Sequence, residues 1–257
     1  MTKVKMVTRM QSMALPSRPT LTSRRGRVSI TSIDTVQYTH LPTLTVHKIY
    51  PEGIAAEIEQ PNFPDLIRKF INDQQYSDDV SSASISDLPT FYGKITVYPS
   101  AVATFHAPSD ISGIGGMRRE RIRAVKSWRN GSGHYDTIFV NTDSSAGGMR
   151  GLDVARVRLF FSFSHHGVEY PCALVRWFSR VGDSPDEITG MWVVRPDDDG
   201  SPPSIIHLDT IVRAAHLLPV FGPERVSPAL SFTDTLDTFT SFYVNKFVDH
   251  HTFEIVF

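Results

Sequence analysis

The sequence predicts a mainly β fold of the α+β class. We expect a small barrel or sandwich of short antiparallel strands, a short N-terminal helix, and a C-terminal amphipathic helix docked on the strands. Three observations carry this reading. Short β-rich runs broken by turn residues recur from Lys94 to Val220. Two of them, Val154–Ser164 and Val168–Phe178, are long and flank the turn His165-His166-Gly167, as a hairpin would. Apolar residues at helical spacing occur near 63–73 and again near 233–247.

Residues 1–37 read as a disordered basic leader, residues 38–89 as a short helical segment and linker, and residues 90–257 as the β-rich domain with its C-terminal helix. Leu44–Gln60 suggests a short strand and a turn. Pro64 suits the first turn of a helix, and Asp65, Leu66, Ile67, Phe70 and Ile71 continue it to about residue 73. Gln74–Pro89, rich in Ser and Asp, reads as a linker. Lys94–Tyr98, Ala101–His106 and Asp136–Val140 follow as strands.

In Val154–Ser164, strict alternation puts Ala155, Val157, Leu159, Phe161 and Phe163 on one face, with Arg156, Arg158, Ser162 and Ser164 on the other. In the returning run, Tyr170, Cys172 and Leu174 share one face and Ala173, Val175 and Trp177 the opposite one. A strand apolar on both faces is central in its sheet or has its second face covered. Met191–Val194 and Ser204–His207 add short strands on either side of Asp197-Asp198-Asp199-Gly200, and Val212–Val220 adds a last one. Thr233 then caps a helix of about four turns whose stripe is Leu236, Phe239, Tyr243 and Phe247.

Composition excludes several classes. The chain has 257 residues, of which 40 % are apolar, and 26 basic residues nearly balance 27 acidic ones for a net charge of −1. This is neither a wholly basic nucleic-acid coat nor an acidic disordered tail. The single cysteine, Cys172, excludes an internal disulfide framework and a CxxC zinc site. No apolar run reaches the length of about 18 residues that reads as a membrane span.

Locally the charge is uneven. Residues 1–30 carry Lys3, Lys5, Arg9, Arg18, Arg24, Arg25 and Arg27 and no acid. That stretch reads as a flexible leader, a mitochondrial-type transit peptide, or a basic arm on nucleic acid. Met117–Arg129 holds Arg118, Arg119, Arg121, Arg123, Lys126 and Arg129 against Glu120 alone. Gly182–Gly200 holds six acids against Arg195. Either run is a solvated surface, or each is the other's partner.

Catalytic signatures are thin. Gly113-Ile114-Gly115-Gly116 precedes the basic run and resembles a phosphate-cradling turn, yet GxxxxGK[ST] and GxGxxG contexts are missing, so a tight turn is the plainer reading. His207, His216 and Asp249 would suit a zinc site only if the fold brought them together. Cys172, mid-strand in apolar company, reads as packing rather than as a nucleophile. We therefore expect no catalytic residue, no resident metal and no cofactor.

Binding is better supported. Arg118, Arg119, Arg121, Arg123, Lys126 and Arg129 beside Trp128 suit a phosphodiester backbone, with strong salt dependence and little sequence selectivity. The alternative is a chromatin-type peptide reader in which Tyr170, Trp177 and Trp192 line a cage for a cationic side chain near the acidic loop.

Five ordered blocks carry a family resemblance: APSDISGIGGMRRERIRAVKSW (107–128), GMRGLDVARVRLFFSF (148–163), YPCALVRWFSRVGDSPDEITGMWVV (170–194), IIHLDTIVRAAHLLPVFG (205–222) and FYVNKFVDHHTFEIVF (242–257). They resemble the C-terminal region of large proteins encoded by Plavaka-type, CACTA-like DNA transposons of mushroom-forming fungi. The resemblance covers residues 90–257 closely and 40–75 loosely, and leaves 1–37 unmatched. It implies that the family's DNA-cleaving domain, of RNase-H-like fold with acidic metal ligands, lies upstream of the matching region, so no catalytic residue carries across. The expectation is a noncatalytic, transposon-derived accessory module in the nucleus, or a degenerate relic without activity. A mitochondrial location follows instead if residues 1–30 act as a transit peptide.

Overall fold

A computed structural model describes residues 27–30, 47–75, 88–109, 115–197, 201–223 and 225–257. Its strands are β1 (Arg27–Ile30), β2 (His47–Ile49), β3 (Ile95–Tyr98), β4 (Ser100–His106), β5 (Met117–Val125), β6 (His134–Tyr135) and β7 (Thr137–Asn141). They continue with β8 (Leu152–His165), β9 (Val168–Arg180), β10 (Val193–Pro196), β11 (Ser204–His207), β12 (Ile211–Ala214), β13 (Leu217–Pro219) and β14 (Phe242–Val244). The helices are α1 (Pro51–Ala55), α2 (Phe63–Gln75), α3 (Thr235–Thr238) and α4 (His250–Val256). The fold is mainly β, as expected: a curled antiparallel half-barrel, a second small sheet, a few helices and a C-terminal helix.

The β8–β9 hairpin is the spine of the ten-stranded sheet, which runs β12-β7-β8-β9-β10-β14-β13. Its two outer edges each take two partners in succession. β7 pairs β8 over Leu152–Arg156 and β3 pairs it over Phe160–Ser162. β11 pairs β9 over Cys172–Val175 and β10 pairs it over Phe178–Arg180. The sheet therefore forks on both edges near Arg156–Arg158 and Arg176–Trp177. The second sheet has the order β1-β4-β5-β6.

The core falls into three clusters. Ala155, Val157, Phe160, Ala173, Val175 and Trp177 bury one face of the hairpin with Ala101, Ala103, Phe105, Ile122 and Ala124 of the second sheet. At the turn end of the hairpin, Leu159, Phe161, Phe163, Cys172 and Leu174 bury the opposite face under Phe63, Ile67, Phe70 and Ile71 of α2. At its other end that face packs Val154 and Phe178 with Trp192, Val194, Phe242, Val244 and Val256. The two-faced burial expected of residues 168–178 is thus real, and both faces are covered.

Three expectations need correction. First, the face assignment in β8 fails at a β-bulge. The register slips between Val157 and Leu159, so Arg158 is an extra residue, and Leu159, Phe161 and Phe163 point away from the cluster that holds Ala155 and Val157. Second, residues 233–247 are not one helix. A 3₁₀ turn at Phe232–Asp234 and the single turn of α3 give way to β14, whose Phe242 and Val244 are buried in a strand pattern. The C-terminal helix starts later, at His250, because Asp249 caps it through the Thr252 N–H at 2.7 Å. Third, β1 lies inside the stretch expected as leader and pairs with Ala101–Thr104 of β4; residues 1–26 and 31–37 lie outside the described residues. The 117–125 run, read in the sequence only for its charge, is a strand. The linker expected over 74–89 lies outside the described residues from 76 to 87, and its end is tied down where Arg68 donates to the Leu88 and Pro89 carbonyls.

Candidate nucleic-acid interface

β5 carries the basic run, and its pleat sorts the charges. Pairing with β4 sets Arg118, Glu120 and Ile122 opposite Phe105, Ala103 and Ala101, which belong to the core. Arg119, Arg121 and Arg123 alternate with them on the other face. Residues two apart on one strand face stand about 7 Å apart, so these three form an evenly spaced cationic row. Arg119 and Arg121 are exposed and Arg123 is half-buried. Arg121 donates to Ser100 Oγ at 3.0 Å, and the Arg123 backbone N–H donates to Asp136 Oδ2 at 2.7 Å, which fixes that end of the row.

The β5–β6 connection adds an aromatic and a fourth arginine. Arg129 and Asn130 have φ of 52° and 61°, and the Gly131 N–H donates to the Trp128 carbonyl at 2.9 Å. Two central residues with positive φ are the signature of a type I′ hairpin turn. The turn folds Trp128 back between two guanidiniums, 4.6 Å from Arg123 and 5.6 Å from Arg129. The ring is half-buried, and Lys126 is exposed next to it.

Of the seven residues expected at this interface, six are therefore on or beside the outer row. Arg118 is the exception, since strand alternation turns it to the core side with Glu120. Gly115 and Gly116, with φ of 63° and 75°, make the reversal before β5. A Cβ on Gly116 would lie 2.9 Å from His106 Nε2, so glycine serves the turn. Gly113 and Ile114 lie outside the described residues.

The peptide-reader set does not converge. Tyr170 stacks on Phe163 at 5.2 Å in the α2 cluster, Trp177 is buried between the sheets, and Trp192 is buried with β10 and β14. Three rings in three clusters cannot wall one cage: β8–β9 stands between Trp177 and the other two, and Tyr170 and Trp192 lie at opposite ends of the hairpin's other face. The acidic stretch beside Trp192 folds on itself: Asp186 Oδ1 accepts from the Thr189 N–H and hydroxyl, each at 2.8 Å. Asp198, Asp199 and Gly200 lie outside the described residues.

The zinc reading also fails on geometry. Asp249 is the partner of Arg213, with bonds of 2.8 and 2.7 Å, and not of His207. His216 Nε2 faces Glu120 at 3.9 Å. Among the described residues no three His, Cys, Asp or Glu side chains converge as an ion cage. Cys172 is fully buried, and burial pushes its thiol well up, away from the reactive thiolate. Among the described residues no helix is long and apolar enough to cross a membrane.

Sequence reasoning missed the residue that anchors this region, Arg213. Only 1 % exposed, it lies 4.5 Å over the Phe105 ring and bonds both Asp249 and Glu120, so strands β5 and β12 and the cap of α4 meet on one guanidinium. Its bidentate fork holds Asp249 below the usual carboxylate range against the opposing effect of burial. A lone arginine in an apolar stretch (Ile211–Ala215) was the available signal.

Comparison with protein-family models, with curated proteins and with solved structures finds no match to this chain.

Proposed function

We propose that this protein is a noncatalytic accessory module that grips the nucleic-acid backbone with the outer face of β5. The observation that carries the reading is the row Arg119, Arg121 and Arg123, continued by Arg129 on the far side of Trp128. Guanidiniums suit phosphate because their planar fork matches two phosphate oxygens at once. The Trp128 ring, with Arg123 and Arg129 over it, holds two of these guanidiniums beside the row. Backbone contacts of this type position a protein without reading sequence.

The resemblance of residues 90–257 to transposon-encoded C-terminal regions points the same way, toward a DNA-associated role in the nucleus. The buried thiol of Cys172 and the commitment of Asp249 and Glu120 to Arg213 fit a binding role rather than a chemical one.

The test is retention of the full chain on a mixed-sequence DNA duplex at low salt, for wild type and for Arg119→Glu/Arg123→Glu. Loss of retention by the double variant, with its thermal unfolding unchanged, supports the reading. Equal retention by the two proteins removes it.

A further inference from the structure

The face of the β8–β9 hairpin that packs under α2 at one end and under β14 at the other is interrupted in the middle by charge. Between Leu159 and Leu174 on one side and Val154 and Phe178 on the other stand Arg156, Arg158 and Arg176. Arg156 and Arg176 are direct cross-strand partners, and like charges directly opposite one another oppose strand pairing. The bulge at Arg158 adds a third guanidinium to the same place. Here also β7 gives way to β3 on one edge, and β11 to β10 on the other, so the sheet opens.

The opening is a cleft of about 170 Å³ lined by these three arginines with Asp197, Leu236, Asp237 and Phe239 among the walls. Asp197 accepts from the Ser179 hydroxyl. Its volume is below the roughly 300 Å³ at which drug-sized ligand pockets begin, and suits one compact group rather than a large molecule. Asp237 occupies one of the three cations. It accepts from both terminal nitrogens of Arg156, at 2.5 and 3.1 Å, from an exposed position on α3. Among the described residues the buried Arg156 Nε has no acceptor. Arg158 is held in place against the Tyr135 ring at 4.7 Å. Among the described residues neither Arg158 nor Arg176 has a carboxylate within ion-pair distance. Burial, with the charges of Arg156 and Arg176, disfavours the protonated state of Arg158 against the opposing effects of Tyr135 and Asp237.

We propose that this cleft is a binding site for a phosphate monoester, whose dianion is held by Arg158 and Arg176. A doubly charged group with three terminal oxygens matches two guanidinium forks that have no carboxylate partner among the described residues better than a carboxylate does, and a carboxylate already sits on the third. The diester backbone proposed for β5 carries one charge per phosphate and is a different ligand on a different surface.

The experiment is calorimetric titration of the full chain at constant ionic strength with phenyl phosphate, inorganic phosphate and O-phosphoserine, and with acetate as the carboxylate control. The expected result is saturable one-to-one binding of a phosphate probe, with acetate weaker. Tighter binding of phenyl phosphate assigns a small aromatic ester as the source, and tighter binding of O-phosphoserine a phosphorylated side chain. Arg176→Gln, at an exposed position, weakens binding by about tenfold, and Arg158→Gln does the same. Asp237→Asn strengthens it by freeing the Arg156 fork, and Arg119→Glu/Arg123→Glu leaves it unchanged. No saturable binding by wild type, acetate binding as tightly as phosphate, or full binding by Arg176→Gln would each overturn the proposal.

Discussion

Arg213 and Asp249 share two hydrogen bonds, at 2.8 and 2.7 Å, although 36 residues separate them in the chain. The same carboxylate accepts from the Thr252 N–H and hydroxyl, at 2.7 and 2.8 Å, so one side chain both caps α4 and neutralises the buried guanidinium. Glu120 of β5 completes the set, accepting from Arg213 at 3.2 Å and from the Ala214 N–H at 3.1 Å. The strand that carries the proposed backbone interface is thereby tied to the helix that closes the chain.

Removing that carboxylate leaves a buried charge with half of its partners. Asp249→Asn should destabilise the fold by about 3 kcal/mol, the lower end of the cost of breaking a buried pair, because Glu120 remains. Urea denaturation followed by tryptophan fluorescence measures it. An unchanged midpoint would show that the pair contributes nothing to stability.

Acid should unfold the protein in two stages. Burial raises Glu120 and Asp249, but bonds from His216, Arg213 and Thr252 more than offset it and hold both below their ordinary values of 4.5 and 3.8. A group depressed in the folded state stabilises above its unfolded pKa and loses that contribution as pH falls through its folded one. His207 and His251 are also held below 6.5, first by burial, so the unfolded chain takes up protons before the folded chain does. Stability should therefore decline as pH falls from about 6.5, and again below about 4.5. Asp249→Asn should flatten the second stage in part, since Glu120 keeps its share. A midpoint that stays constant from pH 7 to pH 4 contradicts this.

Phe161 is fully buried, with its ring centroid 5.3 Å from that of Phe63 in an edge contact. Phe161→Ala should cost about 3–5 kcal/mol and loosen α2 from the sheet. Hydrogen exchange should show the loss of protection in residues 63–75 first. Protection lost equally across β4 and β5 would place Phe161 in the wrong layer.

Gly148 has φ of 59° and its added Cβ would collide with the Phe257 carbonyl. Gly148→Ala should displace the end of α4 and lower the unfolding midpoint, whereas Gly147→Ala, with open space around it, should lower it little. Equal effects from the two substitutions would deny the contact.

Much of the fold was legible because hydrophobic alternation reports strands directly. Val168–Arg180 shows both of its apolar faces in sequence, and Pro64 marks the first turn of α2. The failures have local causes. The bulge at Arg158 shifts the phase of β8 by one residue, and no composition signal distinguishes a bulged arginine from a regular outward one. Leu236, Phe239 and Tyr243 match a helical period by chance, while tertiary pairing of Phe242–Val244 with β10 and β13 decides for a strand. β5 was hidden by its own charges, although Arg119, Arg121 and Arg123 against Ile122 and Ala124 already follow a period of two. The basic run proposed as the interface was readable as composition, and the pleat then decided that Arg118 turns inward. The cleft of Arg156, Arg158 and Arg176 was not readable, because it depends on strand register between residues 20 apart and on where neighbouring strands change.

The most direct test of the central claim is the salt dependence of duplex DNA binding, measured by fluorescence anisotropy for wild type and for Arg119→Gln. Four arginines on phosphate predict a slope of about −3.6 for log K against log salt, and the loss of one contact should bring it to about −2.7. A wild-type slope near zero, or the same slope for both proteins, contradicts a backbone grip by the outer face of β5.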